Sequence, residues 1–182
     1  MQGESMEEGS EMKMAKKTAL YGMLIALAMI LSFVETLIPI SLGVPGIKLG
    51  LANLVTIVCL YTMGPAGAFA VLIVRIFLVG ITFGNLFSLI YSLAGGMLSF
   101  FCMILAKRTG LLGMTGVSII GGVTHNIGQI LAAVFVVRTI GLFWYLPVLM
   151  LAGMVTGALI GVLASLIISR LKPVITEIKE DR

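Results

Sequence analysis

The chain has 182 residues, 59% of them hydrophobic and only 11% charged, with a formal net charge of +4. Between Thr18 and Lys172 it holds a single acidic residue, Glu35; the other acids (Glu4, Glu7, Glu8, Glu11, Glu177, Glu180 and Asp181) lie near the two ends. A soluble domain needs charge across its surface, so this composition excludes one and points to an all-α, multi-pass integral membrane protein.

In chain order, a polar N-terminal tail over residues 1–17 precedes a transmembrane domain over 18–171 and a charged C-terminal tail over 172–182. A template of about 20 residues per span divides the domain into six helices, at 18–38, 48–63, 66–83, 86–106, 114–137 and 143–170. Pro39 and the Gly43-Val44-Pro45-Gly46 stretch end the first helix, and Gly64-Pro65 makes a tight turn between the second and third. Gly84-Asn85 separates the third from the fourth, which closes at Lys107-Arg108-Thr109-Gly110. The second span is the shortest, at roughly 16 residues or about 24 Å. It is expected to tilt with the first loop or to stop short of a full crossing.

Basic residues set the expected orientation. With both termini in the cytoplasm, the inner segments carry Lys13, Lys16, Lys17, Lys107, Arg108, Arg170, Lys172, Lys179 and Arg182, while the outer ones carry Lys48 and Arg138. That asymmetry follows the positive-inside rule and puts Phe143, Trp144 and Tyr145 at the outer interface; the expected location is the cell membrane. The net charge therefore belongs to helix ends rather than to a nucleic-acid surface. Cys59 and Cys102 lie inside apolar spans and indicate neither a disulfide framework nor a metal site.

Small residues align on two helices. Gly153, Gly157, Gly161, Ser165 and Ser169 recur every fourth residue along the last helix, a smooth ridge suited to packing within the bundle. Thr18, Gly22 and Ala26 make a shorter ridge on the first helix, suited either to packing or to docking a partner's helix.

Polar residues within the spans are costly and therefore informative. Arg75 falls about nine residues into the third helix, roughly 14 Å from its cytoplasmic end. His125 and Gln129 share a face of the fifth at i, i+4, with Asn126 adjacent. Glu35 and Asn53 lie in the outer parts of the first and second helices, and Asn85, Ser88 and Ser92 descend one face of the fourth. Packing hydrogen bonds between helices account for part of this set. Its concentration in the outer half, with more positive than negative charge there, points instead to an outward pocket for a small anionic molecule. Glu35, Lys48, Asn53, Arg75, Asn85, His125, Asn126 and Gln129 are its expected lining.

No catalytic motif accompanies this pattern. There is one aspartate, Asp181, whereas Mg²⁺-assisted diphosphate chemistry needs clustered carboxylates to hold the metal. No phosphate-binding P-loop, Ser-His-Asp set or Cys-His pair is evident, so neither ATP hydrolysis nor other enzyme activity is expected, and no cofactor or metal is implied.

Three segments carry a family resemblance: Pro45-Gly46-Ile47-Lys48-Leu49-Gly50-Leu51-Ala52-Asn53, Ser92-Leu93-Ala94-Gly95-Gly96 and Thr124-His125-Asn126-Ile127-Gly128-Gln129. In that order they resemble the family labelled heptaprenyl diphosphate synthase component I, also called the Gx transporter family. The family is related to the substrate-binding S components of energy-coupling factor (ECF) transporters, six-helix membrane proteins that capture micronutrients and dock on a membrane subunit with two ATPases. The resemblance implies a six-helix bundle of S-component type. It also implies uptake of a small molecule and docking through Gly22-xxx-Ala26, the match to an Ala-xxx-Ala motif with Gly in the first position. Two other readings follow from the family. One is a membrane subunit of a flavin- or quinone-linked redox pathway, and the other a non-catalytic accessory subunit of heptaprenyl diphosphate synthesis.

Overall fold

The computed structural model describes residues 2–37, 48 and 50–180, with side-chain environments for 14–37, 48 and 50–170. All regular structure among the described residues is helical: α1 (Gln2–Leu37), α2 (Asn53–Thr62), α3 (Gly64–Thr82), α4 (Leu86–Thr109), α5 (Met114–Val137), a 3₁₀ turn (Ile140–Tyr145) and α6 (Leu146–Glu180). The helix stops expected at Pro39 and across Gly43–Gly46 lie outside the described residues, as does residue 38.

Five segments are long and apolar enough to cross a membrane: Met14–Leu37, Gly64–Thr82, Leu86–Thr109, Met114–Val137 and Ile140–Arg170. Between 22% and 44% of each is buried within the protein. Most of their apolar surface therefore faces outward, as it does when the surrounding solvent is lipid. The charged N-terminal segment is a direct helical extension of the first span, since α1 runs without a break from Gln2.

The second helix departs from expectation. Instead of filling 48–63, α2 has only 10 residues, about 15 Å, half of a hydrocarbon core of about 30 Å. Glycine geometry limits both ends. Gly50 adopts φ +88° and Gly64 φ +82°, left-handed conformations that favour glycine. Between Gly50 and α2 the backbone makes a tight turn, with Asn53 N–H donating to Gly50 C=O at 2.8 Å and Leu54 N–H to Leu51 C=O at 3.0 Å. Pro65 then starts α3 almost without a linker. A short helix is tolerated here because α2 is central: it touches every other helix, and Asn53 and Val55–Leu60 are buried. Irregular backbone at membrane depth is stable when protein, not lipid, surrounds it.

Other boundaries follow from caps. Asn85 caps α4, its side chain accepting from Ser88 N–H at 2.8 Å. Gly110 closes α4 in the left-handed region, with Lys107 and Arg108 in the last turn, where cations suit the negative end of the helix dipole. The last span was expected to begin at 143. The aromatic segment Phe143-Trp144-Tyr145 instead belongs to the 3₁₀ turn, and α6 begins at Leu146 with Pro147 in its first turn.

The closest packing joins α4, α5 and α6. At the α5–α6 crossing a Cβ on Gly153 would lie 2.6 Å from the Gly122 carbonyl oxygen, and one on Gly157 2.7 Å from the Ser118 carbonyl oxygen. At the α4–α5 crossing a Cβ on Gly128 would meet the Ala94 carbonyl at 2.8 Å. Backbone thus rests on backbone, which is how helices gain dispersion contacts when lipid provides no hydrophobic drive between them. The expected ridge on the last helix accounts for this seam through Gly153, Gly157 and Gly161. At its far end, Ser165 returns its hydroxyl to the Val162 carbonyl at 2.8 Å.

Candidate functional site

The buried face of α1 is Leu24, Ala28, Ser32 and Glu35, spaced four, four and three residues apart so that they fall on one side of the helix. It begins apolar and turns polar as it nears Leu37. Arg75 is buried halfway along α3, beside Ile76 and Val79. The Asn85 cap sets the start of α4 and so the placement of Ser88 and Ser92 one and two turns on. On α5, His125 and Gln129 face this same region, while Asn126, rotated by one residue, faces α6.

These elements enclose a cavity lined by Ser32, Glu35, Lys48, Gly50, Arg75, Ile76, Val79, Gly80, Ser88, Leu89, Ser92 and His125. About 20 Å³ of it is open to the centres of water molecules, space for one or two waters. The chain through Lys48 and Gly50 forms part of its wall.

That segment is held from below. Lys48 N–H donates to Gln129 Oε1 at 2.8 Å, and Gln129 Nε2 donates back to the Lys48 carbonyl at 2.9 Å. Gly50 N–H donates to the Glu35 carboxylate. Two side chains thus satisfy backbone groups that lie outside regular structure. Gly50 is confined for a second reason: a Cβ there would sit 2.9 Å from Asn53 Nδ2 and 3.2 Å from the His125 ring.

Arg75 is the least satisfied group. Its Nη2 reaches Asn53 Oδ1 at a long 3.5 Å, and its Nε has no partner. Among the described residues no carboxylate comes within ion-pairing distance of it, although Glu35 is near enough for its charge to act on both Arg75 and Lys48. Asn53 Nδ2 and His125 Nδ1 are likewise buried without a partner. Buried polar groups are normally hydrogen-bonded; here Arg75 and His125 line the cavity with an unpaired atom each, and Asn53 stands behind it with another. At the cavity edge Lys48 is half-buried. Burial pushes its ammonium below the usual lysine range, Glu35 opposes that shift and Arg75 adds to it.

Of the expected lining, Glu35, Lys48, Arg75 and His125 converge on this cavity. Asn53 stands behind it as the contact to Arg75, and Gln129 above it as the clamp on Lys48. Two residues lie elsewhere. Asn85 is an exposed helix cap, and Asn126 donates to the Leu149 carbonyl at 2.6 Å as a strut between α5 and α6. Sequence reasoning passed over Ser32, Gly50 and the apolar wall of Ile76, Val79 and Leu89. Ser32 had a signal, since it falls on the Leu24-Ala28-Glu35 face; the wall did not, because apolar residues that line a cavity look like any others in a span. The three segments that carried the resemblance meet here, through Lys48, Gly50 and Asn53, Ser92 and Gly95, and His125 and Gln129.

The short ridge on α1 has the opposite setting. Thr18, Gly22 and Ala26 are exposed, and nothing lies within 4 Å of a Cβ built on Gly22. Elsewhere, Lys107 Nζ donates to the Leu60 carbonyl at 2.6 Å and lies 4.3 Å over the Tyr61 ring, tying α4 to the end of α2. Among the described residues no cluster of three His, Cys, Asp or Glu side chains is placed to hold a metal ion. The cavity gathers a guanidinium, an ammonium, a carboxylate, an imidazole and hydroxyls around little free space.

A family model described as heptaprenyl diphosphate synthase component I matches residues 24–167. The match spans 144 of the 182 residues, and the chain belongs to that family. Comparison with curated proteins and with solved structures finds no match.

Proposed function

We propose that this member of the heptaprenyl diphosphate synthase component I family is a membrane binding component that captures a small anionic micronutrient or metabolite. The observation that carries this reading is the buried Arg75 guanidinium, with a free Nε and, among the described residues, no carboxylate at pairing distance. An arginine is always charged, and at membrane depth it needs an anion or water. A ligand carboxylate or phosphate supplies the former, and Lys48 at the cavity edge adds attraction. The excess of basic residues on segments at the opposite end favours an orientation with the pocket outside and both termini in the cytoplasm. The family's relation to ECF S components supplies the mode of action: a coupling membrane subunit with two ATPases would drive uptake, docking on the exposed Thr18, Gly22 and Ala26 ridge.

The family description itself favours a second reading, a non-catalytic accessory subunit of prenyl diphosphate synthesis. With Asp181 its single aspartate, this chain would depend on a partner for the Mg²⁺-binding carboxylates.

The test is mass spectrometry of small molecules released from the protein purified in mild detergent, beside Arg75→Ala. A stoichiometric anionic metabolite, lost from the variant, is the expected result. A retained prenyl diphosphate would favour the accessory reading, and a flavin or quinone would favour a redox subunit.

A further inference from the structure

We infer that this pocket reads the charge of its ligand's headgroup, accepting a monocarboxylate with an apolar body and rejecting a dianionic phosphate or a diphosphate. The inference rests on the reading of the cavity as an anion site and names the chemical class it takes.

Donor geometry comes first. Arg75 Nε and Asn53 Nδ2 are buried donors without partners, on two side chains already linked by the 3.5 Å contact. Of the two, Arg75 lines the cavity, and a planar carboxylate is a partner that a guanidinium meets in a two-point contact.

Charge comes second. The charged groups lining the cavity are Arg75, Lys48 and Glu35, formally two positive and one negative. One monoanion brings that sum to zero. A dianion leaves a surplus negative charge beside Glu35 where water is scarce, and like charges sharing such a site are strongly disfavoured. Glu35 cannot swing clear, because it is buried and its carboxylate holds the Gly50 N–H.

Space comes third. About 20 Å³ is free at the polar spot, room for one or two waters, so a ligand with either headgroup enters only as the surrounding side chains give way. Beside this polar spot, Ile76, Val79 and Leu89 offer an apolar wall for the rest of the ligand. A diphosphate, despite the family description, does not fit the charge.

The experiment measures thermal stabilisation of the full chain in mild detergent as hexanoate or hexyl phosphate is titrated in. At about pH 8 the phosphate is a dianion, its second pKa being about 6, so the two probes share a body and differ in the headgroup. Wild type should bind hexanoate at least about tenfold more tightly, the scale of one like-charge interaction. Glu35→Gln keeps an oxygen for the Gly50 N–H but removes the charge, and should bring the ratio towards one or invert it. Arg75→Ala should abolish both responses. Equal binding of the two probes by wild type, or an unchanged ratio in Glu35→Gln, overturns the charge-reading inference while leaving an anion pocket. No saturable, Arg75-dependent response to either probe overturns the anion site itself. Should Glu35→Gln fail to fold, the wild-type ratio still decides.

Discussion

Where α5 meets α6 backbone rests on backbone over Gly122, Gly153 and Gly157, with the Asn126 side chain beside the contact; where α1, α3 and α4 approach one another, buried polar side chains stand around a cavity. Both regions lie in the same apolar surroundings and involve helices of similar composition. The difference shows what small residues and polar residues each do in lipid. Hydrophobic attraction between helices is absent there, so stability comes from close contact, and glycine allows the closest. Polar side chains hold helices apart and leave groups unpaired, a cost that makes sense where a ligand completes the set. The helix α5 serves both regions, since Asn126 turns to the seam with α6 while His125 and Gln129 turn to the pocket.

The largest effect should come from the seam. In Gly153→Leu the new side chain meets the Gly122 carbonyl, a backbone group with nowhere to move. The expected loss is about 3 kcal/mol, read as a large fall in melting temperature of the detergent-solubilised protein. An unchanged melting temperature would break the claim that this half is the rigid one.

The pocket should behave in the opposite sense. Replacing Arg75 by Met removes a buried, poorly paired charge and substitutes an apolar chain, which often stabilises. We expect a gain of about 1 kcal/mol in the ligand-free protein together with loss of anion binding. A destabilised variant would mean that Arg75 is structural. Gln129→Ala removes both hydrogen bonds to the Lys48 backbone and should cost about 1 kcal/mol. Its particular signature is faster hydrogen exchange at the Lys48 and Gly50 amides with the α5–α6 seam unaltered.

The smallest effect belongs to the exposed ridge. With open space around it, Gly22→Leu should change stability by less than about 0.5 kcal/mol. Its consequence should appear only in co-purification with a coupling subunit, which the bulky side chain would block. A substantial loss of stability in the chain alone would show that the ridge already packs against something in the protein.

Much of the fold is legible in the order of residues. The periodic Gly153, Gly157 and Gly161 ridge announces a packing face because glycine every fourth residue has few other uses in a span. Arg75, Glu35 and His125 stand out because lipid makes each such residue expensive. Less legible was the division of labour around them. Asn126 and Gln129 are three residues apart in one motif, yet one braces α6 and the other clamps a loop. Three residues turn a helix by about 300°, which leaves these two side chains about 60° apart around the axis, and hydropathy does not report rotation. The second helix was legible as apolar and as the shortest span, but its ends were not, since they depend on the left-handed Gly50 and Gly64.

By itself, then, the sequence determined the solvent, the helical class and the scarcity of charge that singles out a handful of residues, because transfer of polar groups into lipid depends on composition and spacing alone. Tertiary structure decided which of those residues share a cavity, that α2 is a central helix of only 10 residues, and that among the described residues Arg75 has no carboxylate partner. Those outcomes depend on how helices rotate and approach one another, and contacts between residues far apart in the chain set both.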